Sequence, residues 1–140
     1  MLESLKTILE IQDFDMKMIR LMKLKKERRT ELNNIESLRR DLKEQQDLKE
    51  KEISLLEKEI SLEENKIVEI KDYLKKLETK QGSIKKVEEF NALNKEISTK
   101  EKERIAVEQN TSDLIDRKNM EEEILEKIKT SLIDSEESSL

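Results

Sequence analysis

The sequence predicts an all-α protein: a long antiparallel two-helix coiled-coil hairpin with its turn near residues 79–86. Three observations carry that prediction. Of the 140 residues, 45% are charged and only 34% hydrophobic, which inverts the proportions of an ordinary globular domain. The apolar residues, mostly Leu and Ile, recur at the three-and-four spacing of a heptad. The chain has no Pro and a single Gly, so only Gly82 is a strong helix breaker. Disorder, the other common outcome of a charge-rich composition, goes with high net charge and too little apolar surface to bury. Here 29 Lys and Arg nearly balance 34 Asp and Glu, leaving −5, and the hydrophobics are patterned.

Helix 1 is predicted over about residues 2–79. Ile53, Ile60, Ile67 and Leu74 fall seven apart, with Leu56, Glu63, Ile70 and Leu77 at the interleaved positions, an a/d seam with one charged intruder. Upstream, Leu32, Ile35, Leu38 and Leu42 form another stripe. From Leu42 to Ile53 the step is a hendecad, which predicts a local change of supercoil near Gln45 to Lys51. The run Thr79-Lys80-Gln81-Gly82-Ser83 is the most turn-like before the C-terminus and places the turn at about residues 80–85.

Helix 2 follows over about residues 86–134. Phe90, Leu93 and Ile97 open its stripe, and Leu125, Ile128 and Leu132 close it. Between them the same register meets Lys100, Arg104, Thr111, Lys118 and Glu121, with only Val107 and Leu114 apolar. Neighbouring Ile105, Ile115 and Ile124 predict a drifting register there. Asn91 and Asn94 are either register-fixing seam residues or ordinary solvent-facing ones. Acid-first i,i+4 pairs such as Glu36/Arg40, Asp72/Lys76 and Glu96/Lys100 favour helix throughout.

Folding back at Gln81 to Ser83 would set Leu77 against the region of Phe90 and Ile53 against Ile115. Helix 1 would then span ~120 Å, while helix 2 has fewer than about 60 residues to cover it. A parallel two-stranded rod of ~210 Å is the rival architecture. In the hairpin, residues 1 to about 27 overhang. This is the most apolar stretch of the chain: Leu2, Leu5, Ile8, Leu9, Ile11, Phe14, Met16, Met18, Ile19, Leu21, Met22 and Leu24. An exposed stripe of that size marks an interface, to be covered by a second copy, another protein or further chain.

Composition also narrows the chemistry. Without Cys or His the chain offers no thiol or imidazole as nucleophile, base or metal ligand. Adjacent carboxylates, as at Glu63/Glu64, Glu88/Glu89 and Glu121 to Glu123, have no sheltered cleft on a two-helix rod in which to act as acid and base, so no enzyme is expected. Lys17, Arg20, Lys23, Lys25, Lys26, Arg28 and Arg29 form the basic cluster. It fits a salt-bridging face for an acidic protein better than a nucleic-acid site, given the pI near 5.1 and Phe14 as the only nearby aromatic. No apolar run is long enough for a membrane span, and the first residues do not read as a signal peptide. The absence of Cys agrees with a reducing compartment.

Two segments carry a family resemblance. The stretch Ser83-Ile84-Lys85-Lys86-Val87-Glu88-Glu89-Phe90-Asn91-Ala92-Leu93-Asn94-Lys95-Glu96-Ile97 resembles the post-turn signature S-V-K-x-N-x-E-[YF]-x-A-L-x-K-E-I of the bacterial C4-type zinc ribbon family. Ser83, Lys85, Glu89, Phe90, Ala92, Leu93, Lys95, Glu96 and Ile97 match it. Ile84 is a conservative exchange, and Val87 stands where the family has Asn. The opening Leu5 to Asp15 is similar to the family's L-x-x-L-x-E-[LI]-Q-x-x-D, and the chlamydial members are the most alike.

The resemblance implies a coiled-coil hairpin followed by a zinc ribbon held by two C-x-x-C pairs. No Cys is present here, so zinc falls to no residue of this chain, and the ribbon is expected beyond residue 140. On this reading the chain is a fragment, or a member without its ribbon. The family further implies a cytoplasmic, non-enzymatic adaptor that binds the alternative sigma factor RpoN, with a link to flagellar or type III secretion regulation. Two alternatives stand beside it: a structural stalk or chaperone-like hairpin of a type III export apparatus, and nucleic-acid binding by the full-length protein through its ribbon. The surface expected to bind the partner is Leu5, Ile8, Ile11, Phe14, Met18, Leu21 and Met22, with Lys17, Arg20, Lys23 and Arg28 steering an acidic protein.

Overall fold

The computed structural model describes residues 1–139. Helix α1 runs over Leu2–Gly82, 81 residues, and helix α2 over Val87–Ser139, 53 residues, with no strand among the described residues. The two pack against each other as an all-α helical hairpin.

Helix α1 continues to Gly82, three residues beyond the end expected from composition. Gly82 keeps a negative φ, so the helix does not close on a left-handed glycine. It closes by tightening: the amides of Ser83 and Ile84 donate to the carbonyls of Lys80 and Gln81, each at 3.2 Å, and Ser83 Oγ donates to Lys80 O at 2.9 Å. Residues 83–86 make the connection, and Glu88 and Glu89 sit in the first turn of α2, where the macrodipole favours acids. At its far end α2 passes residue 134 because nothing there breaks it. Ser135 is buried with Oγ on Leu132 O at 2.7 Å, and Glu136 reaches Arg39 at 3.1 Å.

Since Gly82 is helical and a Cβ built on it would meet nothing within 4 Å, Gly82→Ala is expected to raise stability by about 0.5–1 kcal/mol. Urea denaturation of the two chains would show a higher midpoint for the variant.

The chain divides into two compact units. One is Gln46–Ile128; the other joins Met1–Gln45 to the residues from Lys129 onward. In the first, Ile53, Leu56, Ile60, Ile70, Leu74 and Leu77 of α1 and Leu93, Thr111, Leu125 and Ile128 of α2 are buried. Glu63 and Ile67 are half-buried between them, on the anticipated heptad. In the second unit Leu32, Ile35, Arg39 and Leu42 are half-buried, as is Leu132.

Three expectations about the seam need correction. The step from Leu42 to Ile53 is no stutter, because Gln46 and Lys49 fill the seam positions inside it and are half-buried; Arg39, not the exposed Leu38, precedes Leu42. The register of α2 does not drift either. Ile97, Lys100, Arg104, Val107, Leu114, Lys118 and Glu121 are all half-buried in one phase, while Ile105, Ile115 and Ile124 are exposed. Finally, every cross-helix pair lies further along α2 than expected. Tyr73 meets Glu96, Gln81 meets Asn94, Glu57 meets Lys118 and Lys49 meets Glu121. The cause is the late turn, which moves α2 outward relative to a fold-back at Gln81. Leu93, not Phe90, is therefore the first buried residue of α2.

Candidate partner-binding surface

From Leu2 to Glu31 no side chain of α1 is covered. The helix holds itself there: Thr7 Oγ1 donates to Glu3 O at 2.9 Å, and Thr30 Oγ1 to Lys26 O at 3.1 Å, each satisfying a hydroxyl on the preceding turn. Counting back in sevens from the half-buried Leu32 passes Lys25 to reach Met18 and Ile11, and from Ile35 passes Arg28 to reach Leu21 and Phe14. These four are 41–63% exposed. The heptad phase of the half-buried Leu32 and Ile35 thus continues, uncovered, toward the N-terminus.

The structure gathers only part of the surface expected from sequence. Ile8 and Met22 flank the Ile11, Phe14, Met18 and Leu21 stripe, since they lie one position beyond its a residues in the helical wheel. Lys17 flanks the other side and pairs with Asp13 at 3.2 Å. Arg28 stands in the stripe itself and reaches Glu31 at 3.4 Å. Leu5, Arg20 and Lys23 lie around the helix from that stripe; Lys23 lines a shallow groove with Lys26, Glu27, Thr30 and Glu31. Leu5 belongs with Leu2, Leu9, Met16 and Ile19, a second line at three-and-four spacing on roughly the opposite face. Treating the overhang as one apolar surface merged the two lines, although their spacing was readable.

The remaining electrostatics lie in the Gln46–Ile128 unit, where polar residues occupy seam positions. Lys49 Nζ is 2.6 Å from Glu121 and 3.2 Å from Glu52, and these hydrogen bonds, Glu121 first, raise its pKa. The same contact with Lys49 is the main reason the Glu121 carboxyl titrates below its ordinary range. Lys118 bridges Glu57 and Glu122 at 3.6 and 3.7 Å. Glu63, the charged intruder, bonds Lys66 and Asn110, which lower its pKa in that order. Arg104 is held by Glu101 at 2.6 Å. Tyr73 donates its hydroxyl to Glu96, which raises the phenol's pKa, and Lys100 stands 5.1 Å from the centre of its ring.

The chain resembles a chlamydial protein. Its fold is similar to the solved structure of CT398 from Chlamydia trachomatis, with a TM-score of 0.77 and 42% sequence identity over 98% of this chain. The likeness covers 58% of the CT398 chain, so this sequence spans little more than half of that protein's length. No protein-family model matches the chain, and no curated protein does.

The residues of the signature segment fall into three groups. Ser83 and Lys85 belong to the connection. Leu93 and Ile97 enter the seam, and Glu96 takes the Tyr73 hydroxyl. Glu89, Phe90, Ala92 and Lys95 remain exposed, Phe90 at 41%. Neither Asn is a seam residue: both are exposed, and Asn94 accepts from Gln81 Nε2 at 2.8 Å. A zinc site does not fit the side chains present. There is no Cys or His, and no three carboxylates converge into a metal-holding group among the described residues. No helix of the described residues is long and apolar enough to cross a membrane.

Proposed function

We propose that the chain is a non-enzymatic coiled-coil adaptor that binds a partner protein through the Ile11, Phe14, Met18 and Leu21 stripe. The observation that carries this reading is phase: the uncovered stripe continues the heptad on which Leu32, Ile35, Arg39 and Leu42 are half-buried, so a helix laid along it would meet a knobs-into-holes seam. Lys17 beside the stripe and Arg28 at its C-terminal end favour an acidic helix. For the partner's identity, the Ser83 to Ile97 and Leu5 to Asp15 segments support the alternative sigma factor RpoN, as in the C4-type zinc ribbon proteins they resemble. A type III export component is the second candidate on the same ground.

Calorimetric titration of the chain with purified RpoN tests the proposal. Met18→Asp combined with Leu21→Asp should weaken binding at least about tenfold, because two charges would be desolvated in the centre of the contact. Leu62→Asp, at a side chain as exposed as Leu21 but on the Gln46–Ile128 unit, should leave it unchanged. Equal affinities for all three chains would refute the assignment.

A further inference from the structure

The second apolar line of the N-terminal segment is left unused by that function. Leu2, Leu5, Leu9, Met16 and Ile19 are 57–86% exposed, and Gln12 completes their three-and-four spacing. A helix apolar on two opposite faces is one built to be covered twice. A partner on the Phe14 and Met18 side covers one face only.

We infer that a second copy of this chain covers the other, packed antiparallel over Leu2 to Ile19. The line is self-complementary when reversed. A two-fold axis sets Leu2 against Ile19, Leu5 against Met16 and Leu9 against Gln12 of the second copy, each layer occurring twice. On the flank of the same face, Lys6 of each copy then comes beside Asp13 of the other, giving two ion pairs. A parallel pair lacks this complementarity. Its shared face runs on into Lys23 and Lys26, each opposed to its own equivalent, and like charges so placed repel. The antiparallel contact ends before those lysines. It is about 27 Å long, small for a permanent interface, so the dimer forms at micromolar concentrations and above.

Cysteine chemistry decides the geometry cleanly, because the chain has no Cys of its own. Leu5→Cys and Met16→Cys chains, mixed and oxidised, should yield a disulfide-linked pair containing one of each, while each variant alone yields little. Sedimentation velocity of the unaltered chain from about 1 to about 200 μM should show monomer passing to dimer. Leu9→Asp with Ile19→Asp should abolish the dimer, whereas Phe14→Asp with Met18→Asp should retain it; circular dichroism confirms that both variants keep their helices. A chain that stays monomeric throughout overturns the inference. So does efficient cross-linking of either Cys variant to itself, or a dimer lost with Phe14 and Met18 but kept without Leu9 and Ile19. Partner binding by the Leu9 and Ile19 variant, expected to persist, separates this dimer from the adaptor function.

Discussion

Leu74→Ala will destabilise the Gln46–Ile128 unit by about 2–4 kcal/mol, as read from urea denaturation followed by circular dichroism. Leu74 is the best-covered side chain described, 5% exposed, in the apolar end of the seam that includes Ile70, Leu77 and Leu93. Removing its branched end forfeits the transfer free energy of the lost groups and opens a gap that two rigid helices cannot fully close. The matched comparison is Leu62→Ala. Leu62 is 62% exposed on the same helix, and its truncation should cost no more than about 0.5 kcal/mol. Comparable losses at the two positions would mean that the heptad seam is not what holds the helices together.

Reversing one charge inside the seam should also have a large effect. In Lys49→Glu, three carboxylates at positions 49, 52 and 121 replace a cation held between two acids. The thermal midpoint should fall further than in Lys49→Met, which removes attraction without adding repulsion, and Glu121→Lys in the same chain should restore most of the loss. The pH dependence follows from the same contacts. Glu121 and Glu63 have folded pKa values below the ordinary 4.5, so their stabilisation is present above that value and is lost as pH falls through the depressed folded pKa. Lys49 is shifted the other way. Its contribution is complete below 10.5 and disappears as pH rises through the raised folded pKa. The midpoint plotted against pH should therefore be flat between these limits and fall beyond both. Lys49→Met should shrink both falls, leaving at the alkaline end the part that comes from the raised phenol of Tyr73.

The seam from Ile53 to Leu77 could be read from the sequence because seven of its eight positions are Ile or Leu, and the turn because Gly82 stands alone in a chain without Pro. What escaped was the polar part of the same seam. Gln46 and Lys49 interrupt an apolar pattern when α1 is read by itself, and they become seam residues only because α2 carries Lys118 and Glu121 to meet their neighbourhood. That pairing is non-local, and its register depends on where the helix tightens and ends, at the bonds of Ser83 and Ile84. The converse error arose in α2, where Ile105, Ile115 and Ile124 looked like a seam and lie in solvent. At the candidate surface the residues were legible but their grouping was not. A count of apolar side chains gives their number, while the phase relative to Leu32 and Ile35 separates the stripe of Phe14 and Met18 from the line of Leu5 and Leu9.

The bond between Tyr73 and Glu96 gives the molecule an optical reporter. With one Tyr and no Trp, emission excited in the phenol's absorption band, where the two Phe do not absorb, comes from a single ring. That ring sits on α1, gives its hydroxyl to a carboxylate of α2 and faces Lys100 of the same helix. A phenol bonded to a carboxylate is a dimmer emitter than one bonded to water, so parting of the two helices at this layer registers as a rise in brightness. Acid titration and denaturant can both be followed at that layer in the unlabelled protein, one residue deep.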